Sequence, residues 1–212
     1  MPELPEVEVV KKSLENNIND LIIKKVIINT NKLRYKINKK KLKETIGKKV
    51  ISITRRSKYL LINFDKKVTL IVHLGMTGKF LILNKKKIIK KTSFYYQLKK
   101  KDIKHNHIIF IFKGNLRLIY NDVRKFGFIK LIKSDDINSN VHLKFLGPEP
   151  FSKNFNFLYF KKNIKNKKRT IKDLLMDQRF VSGLGNIYVN EVLFLSKIDP
   201  KRQCSKITTL EI

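Results

Sequence analysis

The spacing of apolar residues divides the chain into a helical start, a long β-rich stretch and a helical end. Val7, Val10, Leu14 and Ile18 recur every three or four residues, which predicts an amphipathic helix over residues 3–18. From about residue 21 to 133 the apolar positions form short runs rich in β-branched and aromatic side chains. The predicted strands are residues 21–30, 50–54, 59–64, 68–74, 79–83, 94–98, 108–112, 116–120 and 128–132.

Short polar connections at residues 65–67, 75–78 and 113–115 predict hairpins, and many strands without intervening helices favour an antiparallel sandwich or barrel. After Ser134 the composition becomes polar, and the GPEP segment at 147–150 is a stiff turn. Helices are predicted over 155–164, 170–177 and 187–195, with another beginning at 208. We therefore predict an α+β protein with a helix and antiparallel β-sandwich in residues 1–133, a linker over 134–150, and a helical domain over 151–212.

Composition narrows the class of protein without identifying it. Of the 212 residues 42% are apolar, which is enough for a hydrophobic core. No apolar run approaches the roughly 18 residues that span a bilayer, and the acidic, proline-bearing N-terminus is unlike a secretory signal. The single cysteine, Cys204, excludes an internal disulfide and a multi-cysteine metal site within these residues. We expect a cytoplasmic protein that does not bind membranes.

The net charge of +31 indicates a polyanionic partner, although part of it reflects amino-acid usage. Lys outnumbers Arg by 40 to 8, and Ala and Trp are absent, which is typical of A·T-rich coding. The lysine runs at 39–43, 85–91, 99–104 and 161–168 are typical of solvated faces. Charge alone leaves open a basic RNA-binding protein.

The N-terminus carries the first candidate for chemistry. Met1 is normally removed before a small residue such as Pro2, which leaves an amine whose ordinary pKa of about 8 is far below that of lysine. A helix N-terminus and a positive field both disfavour its protonation, and such an amine can form a Schiff base. Glu3 beside it can act as general acid and base. The alternative is that Pro2 only begins a helix with an acidic first turn.

Six segments resemble one known family and occur in that family's order. They read MPELPEVE at residues 1–8, RRSKYLL at 55–61, HLGMTG at 73–78, YNDVRKFG at 120–127, LGPEP at 146–150 and GNIY at 185–188. Together they resemble formamidopyrimidine-DNA glycosylases, the bacterial base-excision enzymes that remove oxidised purines such as formamidopyrimidine and 8-oxoguanine. The resemblance implies a monomeric DNA glycosylase with β,δ-elimination lyase activity, acting on double-stranded DNA that contains an oxidised base or an abasic site.

The resemblance also implies roles for individual residues near the N-terminus. Pro2 is expected to be the nucleophile, Glu3 the proton donor and relay, and Lys58 a catalytic-site lysine that touches a phosphate beside the lesion. Glu6 is expected to support the pocket.

Three further residues are expected to fill the gap left by an extruded base: Met76, Arg124 and Phe126. Apolar side chains can replace a base in the stack, and an arginine can pair with the orphaned base. Taken singly, Met76 and Phe126 are also typical of core residues. The family usually has Pro-Arg-Arg-Phe in this loop, and Val123 and Lys125 depart from that pattern.

Asn186 follows a Gly-x-Gly turn at the start of a predicted helix, which is either a plain N-cap or a phosphate-binding position. The resemblance implies that Asn186 grips the lesion strand within a helix–two-turn–helix element. His73 is expected either to contact a phosphate or to be a half-buried strand histidine. His105 and His107 are expected to share one face of a strand rather than to bind metal, since no third ligand is suggested nearby.

The chain also departs from the family in its C-terminal part. The family continues with a loop that covers the extruded base and with a four-cysteine zinc finger, so we expect no cofactor here and zinc only if the chain continues. A shortened natural product, a deliberate fragment and an incompletely supplied chain all stay open. So do two other functions: an oxidised-pyrimidine glycosylase of the sister branch, and a truncated, non-catalytic DNA-binding remnant.

Overall fold

The computed structural model describes residues 1–84, 87–91 and 100–211, and it forms two compact units, Met1–Ile137 and Asn138–Ile212. The first unit holds an N-terminal helix and two antiparallel sheets, and the second is helical. The predicted α+β class is therefore confirmed. Within the described ranges, none of the helices is long and apolar enough to cross a membrane.

Helix α1 (Leu4–Ile18) begins where the sequence predicts. Glu3 is its N-cap, Pro5 occupies the first turn, and the backbone N–H of Glu3 donates to Oε2 of Glu6 over 2.8 Å. This bond satisfies one of the amide groups that a helix start otherwise leaves unpaired. The predicted apolar face is buried, and four of its side chains enter the core of the first unit: Val7, Val10, Leu14 and Ile18.

Two antiparallel sheets enclose that core. One has the strand order β1 (Ile23–Ile28), β7 (Asn106–Phe112), β8 (Arg117–Asn121), β5 (Lys79–Asn84) and β6 (Lys87–Lys91). The other has the order β2 (Val50–Arg56), β3 (Tyr59–Phe64), β4 (Val68–His73) and β9 (Phe128–Lys133). Apolar side chains of both sheets pack with α1 in a single cluster, which includes Phe80, Phe110 and Tyr120.

The hairpin predicted at residues 75–78 is wrong. Strand β4 pairs with β3 and β9, whereas β5 pairs with β6 and β8, so residues 75–78 lead from one sheet to the other. A Gly-x-x-Gly segment marks a sharp turn both in a hairpin and in a connection between two sheets. Only the pairing of distant strands decides which of the two it forms. The hairpins at 65–67 and 113–115 are confirmed by the pairing of β3 with β4 and of β7 with β8.

Three other differences concern the elements of the first unit. The short helix α2 (Lys39–Lys43) was not predicted, because it has a single apolar residue, Leu42. Strand β6 lies within a segment predicted only as a lysine run. The predicted strand at 94–98 lies outside the described residues.

The second unit contains helices α3 (Phe157–Ile164), α4 (Ile171–Met176) and α5 (Asn186–Leu195), close to the predicted ranges. Side chains of Thr170 and Asn156 cap α4 and α3 by accepting backbone N–H bonds. The helix predicted from 208 is a single 3₁₀ turn, Thr209–Glu211, within the described residues. An apolar cluster of its own, which includes Phe180, Val189 and Cys204, holds this unit together.

Candidate active site

The start of α1 brings three charged side chains together. Glu3 is 3% exposed and Lys58 6% exposed, although both are residue types that normally face water. Burial lowers the pKa of the Lys58 ammonium, while the nearby carboxylates of Glu3 and Glu6 act in the opposite direction. Pro2, which is half-buried, immediately precedes this cluster, and Met1 is exposed. Four residues predicted to act together, Pro2, Glu3, Glu6 and Lys58, thus lie in one region.

Lys58 is held by the tight turn between β2 and β3. Arg56 and Tyr59 are paired across the turn, and Ser57 has a φ of 56°, a backbone conformation that non-glycine residues rarely adopt. The two-residue connection restricts the backbone of Lys58, whose side chain is buried near Glu3 and Glu6. A lysine in a longer, exposed loop would lack this restriction.

Glu8 and Arg55 fix this turn to the helix, a role that the sequence analysis did not assign. Arg55 Nε donates to Glu8 Oε2 over 2.7 Å, and Arg55 Nη1 donates to the carbonyl oxygen of Ser57 over 3.0 Å. One guanidinium therefore joins α1 to the residue before Lys58. Both residues lie in segments that carry the family resemblance, but their partnership spans 47 positions and has no local signal.

Met76, Arg124 and Phe126, the residues predicted to fill the gap left by an extruded base, are called the wedge residues below. They lie on two neighbouring loops of the first unit, residues 75–78 and 122–127, which are called the wedge loops. Met76 is 37% exposed and Phe126 46% exposed, which excludes the alternative that they belong to the core. The guanidinium of Arg124 lies over the Phe126 ring, 4.5 Å from its centroid. All three line a cleft of ≈ 710 Å³ whose walls also include Met1, His73 and three further basic residues: Lys32, Arg34 and Lys125.

The two wedge loops approach each other so closely that side chains are excluded between them. A Cβ atom on Gly75 would lie 2.4 Å from the backbone nitrogen of Gly127, and Gly75 has a φ of +62°. A Cβ on Gly127 would lie 1.9 Å from the hydroxyl of Tyr120. Glycine at both positions is what allows Met76 and Phe126 to line one cleft.

His73 is buried at the end of β4 rather than exposed on the surface. Its Nδ1 accepts the backbone N–H of Gly75 over 3.0 Å, so the neutral ring donates through Nε2. The ring stacks on Phe128 with centroids 5.8 Å apart, and it lines the cleft. His73 thus fits the half-buried strand histidine of the sequence analysis and still borders the cleft.

The expectation that His105 and His107 share a strand face is wrong. His105 ends a 3₁₀ turn, Lys100–His105, and only His107 lies in β7. His107 Nε2 donates to the backbone carbonyl of Asp122 over 2.8 Å. Residues 1–84, 87–91 and 100–211 contain no group of three metal-binding side chains, and with Cys204 as the one cysteine the residues present do not fit a four-cysteine zinc finger.

In the second unit, Asn186 is the first residue of α5 and is exposed; the N-cap is Gly185. The turn before it is held by Gln178, whose Nε2 donates to the carbonyl of Leu184 over 2.7 Å and whose Oε1 accepts the N–H of Gly183 over 2.9 Å. A plain N-cap role for Asn186 is therefore excluded. Asn186 thus belongs to the first turn of α5, where the positive end of the helix dipole stabilises an anion.

Two family models match most of the chain. The formamidopyrimidine-DNA glycosylase N-terminal domain matches residues 1–129, and the formamidopyrimidine-DNA glycosylase H2TH domain matches residues 146–212. The chain belongs to the formamidopyrimidine-DNA glycosylase family. The resemblance inferred from six segments is confirmed, and membership makes this chain a DNA-binding glycosylase of base-excision repair.

Individual formamidopyrimidine-DNA glycosylases are similar over almost the entire chain. The enzyme of Rickettsia bellii (strain OSU 85-389) is 41% identical over 202 residues, which are 95% of this chain and 69% of the relative. The enzyme of Ligilactobacillus salivarius (strain UCC118) is 39% identical over 212 residues, which are 100% of this chain and 72% of the relative.

Solved structures of a family member carry damaged DNA. A Lactococcus lactis FPG mutant in complex with a Fapy-dG containing DNA has a TM-score of 0.84 and 33% identity, covering 99% of this chain and 72% of that one. Lactococcus lactis Fpg in complex with an abasic site containing DNA has a TM-score of 0.83 and 33% identity, with coverages of 99% and 72%. The wild-type Lactococcus lactis FPG with an oxidized pyrimidine containing DNA has a TM-score of 0.84 and 33% identity, covering 99% and 74%.

Proposed function

We propose that this chain excises oxidised purines from double-stranded DNA and then cleaves the strand at the resulting abasic site. The observation that carries the proposal is the cluster at the start of α1. There the candidate nucleophile, Pro2, directly precedes the buried Glu3, and the buried Lys58 lies near Glu3. Such a pairing of an amine with an acid and a phosphate-binding cation is what glycosidic-bond cleavage through a Schiff base requires.

Removal of Met1 converts the amide nitrogen of Pro2 into a secondary amine. The nitrogen attacks C1′ of the damaged nucleotide, the glycosidic bond breaks, and its electron pair leaves with the base, which takes up a proton. Opening of the sugar ring gives an iminium between Pro2 and C1′, and Glu3 supplies and relays the protons. The iminium acidifies the neighbouring C–H bond, so the 3′ and then the 5′ phosphate are eliminated.

Lys58 holds a phosphate beside the damaged nucleotide in this proposal. Its ammonium lies in a largely dehydrated environment, where attraction to a phosphate is stronger than at an exposed lysine. The lowered pKa is a consequence of the same burial, and a bound phosphate raises it again. Side chains and the N-terminal amine supply every group in these steps, so we propose that the chemistry needs no cofactor.

Met76, Arg124 and Phe126 stabilise the DNA after the damaged nucleotide has left the stack. Extruding a nucleotide costs a few kcal/mol, and exposed apolar side chains offset part of this cost by replacing the lost stacking. The basic cleft around them fits the phosphates of a double strand, and we propose that His73 and Asn186 add phosphate contacts. The Lactococcus lactis enzyme bound to Fapy-dG DNA and to abasic DNA supports this choice of partner. We propose that the chain binds the DNA as a monomer.

Borohydride trapping tests the proposal. The processed chain, with Met1 shown by mass spectrometry to be removed, is mixed at low salt with a duplex that contains 8-oxoguanine, and borohydride is added. We expect a covalent adduct that maps to Pro2. The matched control is the same chain with an N-terminal extension before Met1, in which the Pro2 nitrogen remains an amide and no adduct forms. An absence of adduct with the processed chain would overturn the proposal.

Oxidised pyrimidines are a second candidate substrate. The observation in favour is the Lactococcus lactis FPG structure that contains an oxidized pyrimidine DNA. Excision rates on matched duplexes with 8-oxoguanine or an oxidised pyrimidine decide between the two. Equal affinity for intact DNA, abasic DNA and RNA, without excision, would instead indicate a non-catalytic, electrostatic binder.

A further inference from the structure

A buried pair, Thr77 and Asp122, links the two wedge loops. Asp122 is 0% exposed, and its Oδ1 accepts the Thr77 hydroxyl over 2.5 Å. Its backbone is also held: the N–H of Asp122 donates to His105, and its carbonyl accepts from His107. Tyr120 donates to Oδ2 over 3.4 Å, and burial together with the charge of Asp122 raises the pKa of that phenol well above its ordinary value. The phenol therefore stays a donor.

Each wedge residue is either bound by this pair or adjacent in sequence to a residue that belongs to the pair or is bound by it. Thr77 directly follows Met76, and its hydroxyl also accepts the backbone N–H of Arg124 over 3.0 Å. Asp122 Oδ2 accepts the backbone N–H of Gly127, which directly follows Phe126, over 2.9 Å. The pair thus fixes both loops and both ends of the Arg124–Phe126 segment.

The loop that carries Arg124 and Phe126 has little means of holding this shape by itself. Lys125, between them, has a φ of 57°, which disfavours a residue with a Cβ atom. All four residues from Val123 to Phe126 are exposed, so packing does not fix them. The buried hydrogen bonds of Thr77 and Asp122 help to balance this strain, together with the backbone N–H of Arg34, which donates to the carbonyl of Gly127 over 3.0 Å.

We propose that Thr77 and Asp122 are positioning residues that hold Met76, Arg124 and Phe126 in the arrangement needed to replace an extruded nucleotide. The inference rests on the proposed function for its DNA substrate. It separates two steps: the pair acts on base extrusion from a duplex and has no part in bond formation at Pro2.

The test compares Thr77→Val, which keeps the shape and removes the hydroxyl, with Thr77→Ser, which restores it. Extrusion is followed by the fluorescence of 2-aminopurine beside the lesion in a duplex, and chemistry by borohydride trapping on single-stranded abasic DNA. We expect Thr77→Val to slow extrusion at least about tenfold, because a buried hydrogen bond to a charged group is lost, and to leave single-strand trapping within about twofold. Thr77→Ser is expected to behave like the parent.

Two further variants complete the design. Asp122→Asn, which turns an amide N–H₂ towards existing donors, is expected to reproduce the loss of extrusion. Thr45→Val is the matched control, because Thr45 is also buried and its hydroxyl donates to the carbonyl of Leu42 over 2.8 Å, away from the wedge loops. Thr45→Val is expected to extrude bases at the parent rate.

Two results would overturn the inference: extrusion by Thr77→Val within about twofold of the parent, or a parallel fall of extrusion and single-strand trapping, since the latter marks general loss of structure. Failure of the parent chain to trap any abasic DNA would count against the proposed function alone. The fluorescence measurement needs no bond formation and would still judge the positioning role.

Discussion

Two variants that break the ion pair between Glu8 and Arg55 are expected to differ in the free energy of unfolding and in trapping on abasic DNA. Both Glu8→Ala and Arg55→Met break the bond from Arg55 Nε to Glu8 Oε2, but only Arg55→Met also releases the carbonyl of Ser57. Side chains of Arg55 and Glu8 are 12% and 32% exposed, so solvent screens the pair partly. A charge-assisted hydrogen bond contributes about 1.5–3 kcal/mol when buried, and we take about 1 kcal/mol for this one.

Arg55→Met is therefore expected to lower the free energy of unfolding by about 2 kcal/mol, because it loses two hydrogen bonds, and Glu8→Ala by about 1 kcal/mol. Urea unfolding of the two variants and the double variant gives the coupling energy of the pair. Trapping on abasic DNA is expected to fall more with Arg55→Met, since only that variant loosens the turn before Lys58. A coupling energy near zero, or equal losses of trapping, would refute the reasoning.

Three other predictions concern a charge, a glycine and the core. Because burial lowers the pKa of Lys58, its ammonium loses its proton at a lower pH than an ordinary lysine. DNA affinity, measured by fluorescence anisotropy titrations at fixed salt, should therefore fall as pH rises towards 10.5. Lys58→Arg should remove this pH-dependent fall, because arginine keeps its proton. Gly75→Ala should slow base extrusion, because its Cβ would meet the backbone of Gly127, whereas Gly114→Ala, with no atom within 4 Å of that Cβ, should not. Leu14→Ala should cost about 3 kcal/mol in urea unfolding because a fully buried side chain leaves a cavity, and Val9→Ala, on the exposed face of α1, should cost little; equal losses would contradict the assigned helix face.

Elements with a strong local signal could be predicted from the sequence. The apolar spacing of α1 and the tight turns at 65–67 and 113–115 depend on neighbouring residues only, and the structure agrees with each. The turn at 75–78 has the same local signal as a hairpin, and its role depends on which distant strands pair. Helix α2 has one buried residue and is held by its N-cap, Asn38, so periodicity does not reveal it.

The candidate site divides in the same way. Pro2 and Glu3 are candidates from the chemistry of an N-terminal amine and from resemblance, whereas the roles of Lys58 and Met76 come from resemblance. All four roles stay predictions until tested. Asp122 lies in one of those segments too, yet its partners are 45 positions away at Thr77 and five positions away at Gly127. Buried hydrogen-bond partners of this kind are set by the packing of two sheets, and no pattern along the chain records them.

The buried bonds that link the wedge loops also determine when conformational entropy is lost. Free loops lose about 1–2 kcal/mol per residue in backbone freedom when they become ordered, and a loop that orders on binding lowers affinity by that amount. Here the backbone of Arg124 and Gly127 is already held in the protein without DNA. That loss therefore occurs during folding, and insertion beside a damaged base requires little further ordering of the protein.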